Sequence, residues 1–113
     1  MEIVWSDLAL RNLHDIALYV SEHFGDSVSK KSINKIVRKV EGLRAFPTSG
    51  VLDRLYASSA FSVHHVTVAP NVIYYLLEDD AVVVMSIIHM KRSPEYVNKV
   101  LRNFVEYYEK QTP

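Results

Sequence analysis

The chain has 113 residues, the size of one ordinary domain, and 49% of them are apolar, enough to build a core. It has no cysteine and a formal net charge of zero. A disulfide framework and a thiolate metal site are therefore excluded, and a dedicated polyanion binder is disfavoured, although a local basic patch stays open.

Met1 to Trp5 reads as a short strand, and this opening lacks the pattern of a signal or transit peptide. No apolar run is long enough to span a bilayer. The expectation is one soluble, cytoplasmic domain over residues 1–113, without a membrane segment. Ser6 is placed to cap a helix running to about Phe24, because its hydroxyl can accept from an orphan amide of the first turn. Ala9, Leu13, Ile16, Ala17, Val20 and Phe24 recur at helical spacing as one apolar stripe. Gly25 ends that helix, and Asp26 or Ser27 starts a second one. The second stripe is Ile33, Ile36, Val37, Val40 and Leu43, and Pro47 and Gly50 stop the helix near Phe46. Two long helices joined by a tight turn form a hairpin.

The pattern then changes to strand formers. Val51 to Tyr56, Phe61 to Val68, Val72 to Leu77 and Ala81 to His89 read as strands, broken at Pro70-Asn71 and at the acidic turn Glu78-Asp79-Asp80. The stretch Val82-Val83-Val84-Met85-Ser86-Ile87-Ile88 is apolar on both faces, as expected of a central strand covered on both sides. Ser93 caps a last helix with Pro94 at its first position. Val97, Val100, Leu101, Phe104, Val105 and Tyr108 give that helix its stripe. The order β-α-α-β-β-β-β-α predicts an α+β domain with a mostly antiparallel sheet, the helical hairpin lying on one face.

Several polar groups carry chemistry. Lys30, Lys31, Lys35, Arg38, Lys39 and Arg44 make the second helix basic, either as a solvated face or as an attractor for an acidic partner. His64 and His65 are neighbours in a strand, so they point to opposite faces and cannot chelate as a pair. Tyr74 and Tyr75 alternate in the same way and read first as packing residues. No metal and no cofactor are expected. His89, Lys91 and Arg92 end a strand just before a helix N-terminus, whose free amides and positive dipole end favour an anion. Histidine, lysine, arginine and tyrosine could together serve a metal-free phosphodiester cleavage. Residue type alone leaves a charged turn equally open.

The arrangement resembles the RelE/ParE superfamily of type II toxin–antitoxin toxins over nearly the full chain. The resemblance is carried by the opening "IVWSDLALRNLHDIALYV", by "VEGLRAFPTSG" at the end of the second helix, and by "NVIYYLLEDDAVVVMSIIHMKR". The closing His-x-x-Arg, His89 to Arg92, looks most like the ParE branch. The resemblance implies a toxin neutralised by a cognate antitoxin. For the ParE branch it implies inhibition of DNA gyrase by protein binding. For the RelE branch it implies cleavage of mRNA on the ribosome. The arginine that RelE-type enzymes carry before their tyrosine-containing strand is replaced here by Asn71 or Val72, which disfavours the nuclease. The expected catalytic set, if there is one, is His89, Lys91, Arg92 and Tyr96. The expected binding positions are Arg54, His64, His65, Val97, Leu101 and Phe104. A homodimer and a degenerate, non-toxic antitoxin binder are the remaining alternatives.

Overall fold

A computed structural model describes residues 1–111. Strand β1 (Glu2–Trp5) leads into helices α1 (Asp7–Phe24) and α2 (Asp26–Gly42). Strands β2 (Val51–Leu52), β3 (Ser62–Val68), β4 (Asn71–Leu77) and β5 (Ala81–His89) follow, and helix α3 (Pro94–Gln111) closes the chain. The five strands form one sheet in the order β1-β5-β4-β3-β2. Of these, β1 and β5 run parallel; the other three pairings are antiparallel.

The α+β class, the helical hairpin and the mostly antiparallel sheet agree with the sequence reading. The fold follows from two apolar faces on β5. Val82, Val84 and Ile87 face the hairpin with Ala9, Ile36, Val40 and Leu43. Val83 and Met85 face the other way, into a second cluster with Leu101 and Val105 of α3. A central strand buried on both sides needs a cover on each, and the hairpin and α3 provide them.

Two expectations need correction. The strand over Val51 to Tyr56 shrinks to two residues, because the chain leaves the ladder at Asp53 and forms a single 3-10 turn, Arg54–Tyr56. That turn drives Tyr56 into the second core, where its hydroxyl bonds Asn98 of α3. Phe24, placed on the first core stripe, is instead 65% exposed at the hairpin tip.

Strand β5 is bulged opposite the step from Tyr74 to Tyr75. Tyr75 pairs with Val84 and Tyr74 with Ser86, so Met85 has no opposite number on β4. A bulge frees backbone groups that need partners. Ser6 Oγ donates to the Met85 carbonyl at 2.8 Å while accepting from Ala9 N at 3.0 Å. Asn12 Oδ1 accepts from Ile87 N at 3.0 Å and from Ser86 Oγ at 2.8 Å. The helix cap and one turn of α1 thus close the irregular stretch of the strand.

Candidate functional site

The His89–Tyr96 segment folds back at the end of β5. Met90 N bonds the Pro70 carbonyl at 2.8 Å, and Arg92 N bonds the His89 carbonyl at 3.0 Å. Ser93 caps α3 as the sequence suggested: its Oγ accepts from Tyr96 N at 3.1 Å. Lys91 N donates to His89 Nδ1 at 3.1 Å, so a neutral His89 ring carries its proton on Nε2, turned away from the backbone. The Arg92 guanidinium lies 3.6 Å from the centroid of the Tyr96 ring. A stacked guanidinium keeps its edge N–H groups free for an oxyanion or a carboxylate. His89, Lys91, Arg92 and Tyr96 are all exposed. They form a preordered cationic corner beside the helix N-terminus.

Two depressions meet at this corner. A small one, of about 300 Å³, is lined by Tyr74, His89, Arg92, Pro94, Val97 and Asn98, among others. The large one is a groove of about 1260 Å³ between α1 and α3. It exists because β1 pairs only with Ala81 to Val84 of β5. Beyond that point the described chain adds no further strand on this side, and the two helices stand apart. Tyr19 and Phe24 line one wall, Val100, Phe104 and Tyr107 the other, and Ile88 the floor. Arg11, Lys35 and Arg92 add positive charge, and Asp7 and Asp15 negative. Tyr19, Phe24 and Tyr107 are each more than half exposed. An apolar trough with a charged rim has the shape and chemistry of a seat for an amphipathic segment.

The other expected positions separate. Val97 and Phe104 are half-buried, and each lines one of the two depressions. Leu101 is 1% exposed and belongs to the core beneath α3. Arg54 is exposed on the 3-10 turn. His64 and His65 do point to opposite faces. His64 is buried, bonds Ser62 Oγ through Nε2 at 2.8 Å and stacks on Tyr75 at 5.3 Å; its Nδ1 is buried without a partner among the described residues. His65 Nδ1 sits 2.9 Å from Asp53 Oδ2, with its ring 5.5 Å from that of Tyr74. A carboxylate on Nδ1 fixes the tautomer and leaves Nε2 available for proton exchange. Burial pushes the Tyr74 hydroxyl up from its ordinary value, and the charge of Asp53 adds to the shift.

Asp53, Asn12 and Tyr107 were not singled out in the sequence, and Tyr74 was read there as a packing residue. Asp53 lies twelve residues before its histidine, across an irregular loop, and no local pattern links them. Strand register pairs His65 with Tyr74 and could have shown that contact. Among the described residues, no group of three His, Cys, Asp or Glu side chains could hold a metal, and no helix is long and apolar enough to cross a membrane.

Comparison with known proteins adds two findings. The family described as "ParE toxin of type II toxin-antitoxin system, parDE" matches residues 3–94. Helix α3, from Pro94 onward, lies almost wholly outside the matched stretch. A solved structure titled "Chromosomal ParDE TA system from P. aeruginosa" shares the fold, with a TM-score of 0.65 and 19% identity, over 79% of this chain and 95% of that one. No curated protein matches the chain.

Proposed function

We propose that this chain, which belongs to the ParE toxin family of type II toxin–antitoxin systems, is a cytoplasmic toxin that inhibits DNA gyrase by protein binding and is held inactive by a cognate antitoxin. The observation that carries this reading is the groove between α1 and α3, opening beside the stacked Arg92–Tyr96 pair. An antitoxin segment with an apolar face fits the trough, and its charged residues meet Arg11, Lys35 and Arg92 at the rim. Seated there, it covers the cationic corner with which the toxin engages its target.

Induced expression of the chain alone, then together with the adjacent gene, tests the reading. The expected result is growth arrest with a DNA damage response, relieved by the second gene. Arrest without any damage response, or no arrest, overturns gyrase inhibition.

A second reading, cleavage of mRNA, is favoured by one observation. The Asp53–His65 pair presents a free imidazole nitrogen on the face of the sheet that also carries Tyr74. Against it stands Asn71 or Val72 at the place where RelE-type enzymes carry an arginine; neither is a cation. Mapping of mRNA ends in the arrested cells separates the two: new 5′ ends that vanish in His65→Ala support cleavage.

A further inference from the structure

The three helices arrange their charges differently. On α1, Asp7, Arg11 and Asp15 alternate in sign four residues apart. On α3, Glu95 with Lys99, Arg102 with Glu106 and Glu106 with Lys110 do the same. Opposite charges at this spacing support an exposed helix, and like charges weaken it. Helix α2 breaks the pattern. From Ser27 to Val40 it carries Lys30, Lys31, Lys35, Arg38 and Lys39 and no acid, in a chain whose formal net charge is zero. Lys31, Lys35 and Lys39 follow one another four residues apart, and Arg38 stands three residues from Lys35.

The fold leaves this row unpaired. Lys31, Lys35, Arg38 and Lys39 are all exposed, and among the described residues none of them is in an ion pair. The acids that flank the run are engaged elsewhere: Asp26 accepts from Ser21 Oγ, and Glu41 pairs with Arg44 at 3.2 Å. Helical spacing gathers the four cations on one side of α2, with the exposed Asn34 beside them, and turns Lys30 to another. A solvated face has no need to repeat like charges at the repelling spacing. An external row of anions supplies one.

We propose that this face of α2 binds the backbone of duplex DNA without reading its sequence. The row from Lys31 to Lys39 is about 12 Å long, which spans three to four phosphates of one strand. Its composition separates duplex DNA from other acidic occupants. Protein interfaces are enriched in aromatic residues and depleted in lysine. Helix α2 contains no aromatic residue, and its exposed large apolar side chain is Val28, in the first turn. Single strands are held by stacking their bases on aromatic rings, which this face equally lacks. Lysine, arginine and asparagine side chains are the groups that contact phosphates and position a duplex. The aromatic side chains gather instead in the groove between α1 and α3. The surface for a protein partner and the surface for DNA are therefore distinct, with Lys35 common to both. The inference stands apart from the target of the toxin.

Fluorescence anisotropy of the purified chain with a labelled duplex of mixed sequence, about two helical turns long, tests this. At about 50 mM salt, binding in the micromolar range is expected, with log K falling against log salt at a slope of about −3.6 for four phosphate contacts. The double variant Lys31→Glu/Arg38→Glu should bind at least about tenfold more weakly, with the slope reduced to about −1.8 and an unchanged circular dichroism spectrum. Lys35 is left in place because it also lines the groove. Lys99→Glu/Arg102→Glu makes the same change of net charge at exposed positions of α3, on the other face of the sheet. It should leave affinity within about twofold of the wild type, since screening confines the effect of a distant charge. No binding by the wild-type chain at about 100 μM overturns the proposal. So does an equal loss in the two double variants, or polyglutamate that displaces the label as well as unlabelled duplex does.

Discussion

The hydroxyl of Tyr75 stands where a side chain on Gly50 would have to go. A Cβ at position 50 would lie 2.6 Å from that oxygen and 2.7 Å from the His65 carbonyl. The first obstacle is the end of a fully buried side chain, and the second is backbone, so neither can yield cheaply. Gly50→Ala is expected to lower stability by about 1–3 kcal/mol through overpacking. Urea denaturation checks it, and a loss below about half a kcal/mol would show that the loop can move aside.

Tyr75 also gives the stability a direction at high pH. Burial pushes its hydroxyl up from the ordinary 10.0, and the Gly50 N–H opposes this only in part. Tyr56 and Tyr74 are shifted the same way, mainly by burial. A folded-state pKa above the unfolded one means that the folded chain keeps its proton longer. Its contribution to stability is complete below pH 10 and is lost as pH rises through the folded value. The midpoint of urea unfolding should therefore fall above pH 10. The fall should be shallower in Tyr75→Phe, although that variant starts about 1–2 kcal/mol lower at neutral pH for want of the Pro47 and Gly50 bonds. An equal slope in both proteins would remove Tyr75 from the account.

Asn12 satisfies two polar groups at the β5 bulge. In Asn12→Leu the Ile87 N–H and the Ser86 hydroxyl lose their acceptor in a buried place, at an expected cost of about 1–3 kcal/mol. Ser6→Ala loses both a helix cap and the partner of the Met85 carbonyl, for about 1–2 kcal/mol. Because the two residues serve neighbouring groups of one bulge, their effects should not add. A double-mutant cycle measures the coupling, and strict additivity would mean that the bulge is held by other contacts.

Arg92→Ala is expected to abolish or strongly reduce growth arrest without unfolding the chain. Arg92 is exposed, and its contact with the Tyr96 ring contributes only about 0.5–1 kcal/mol. Arg92→Lys should also be impaired, since an ammonium cannot offer two parallel N–H groups. Wild-type arrest by Arg92→Ala at equal soluble levels would reduce the corner to a charged turn.

Tyr107 lines the groove from α3 and is 66% exposed. Tyr107→Ala should weaken the complex with the antitoxin at least tenfold, mostly through a faster off-rate, while circular dichroism stays unchanged. Unaltered binding, measured by surface plasmon resonance, would place the antitoxin elsewhere.

The sequence by itself determined the three helices, the strands other than the extent of β2, and the packing of the hairpin on one face of the sheet. Periodic apolar residues identify α1, α2 and α3, Ser6 and Ser93 mark two helix starts, and the unbroken apolar run of β5 demands a cover on both faces. These are local signals, because a helix stripe or a strand alternation is written within a dozen residues. The corner from His89 to Tyr96 was legible for the same reason: its members are neighbours in the chain. Tertiary structure alone decided the rest. The Asp53–His65 pair, the bulge at Met85 with its partners on α1, the seat of Tyr75 over Gly50 and the groove between α1 and α3 each join residues from separate elements. Whether they meet depends on strand register and on where the chain leaves the ladder, and a one-residue shift in either would turn each side chain to the other face. The same physics moved Leu101 from a binding surface to the core and Phe24 from the core to the surface. A helix stripe says which residues share a face, but the width of the layer beneath it decides which of them are covered.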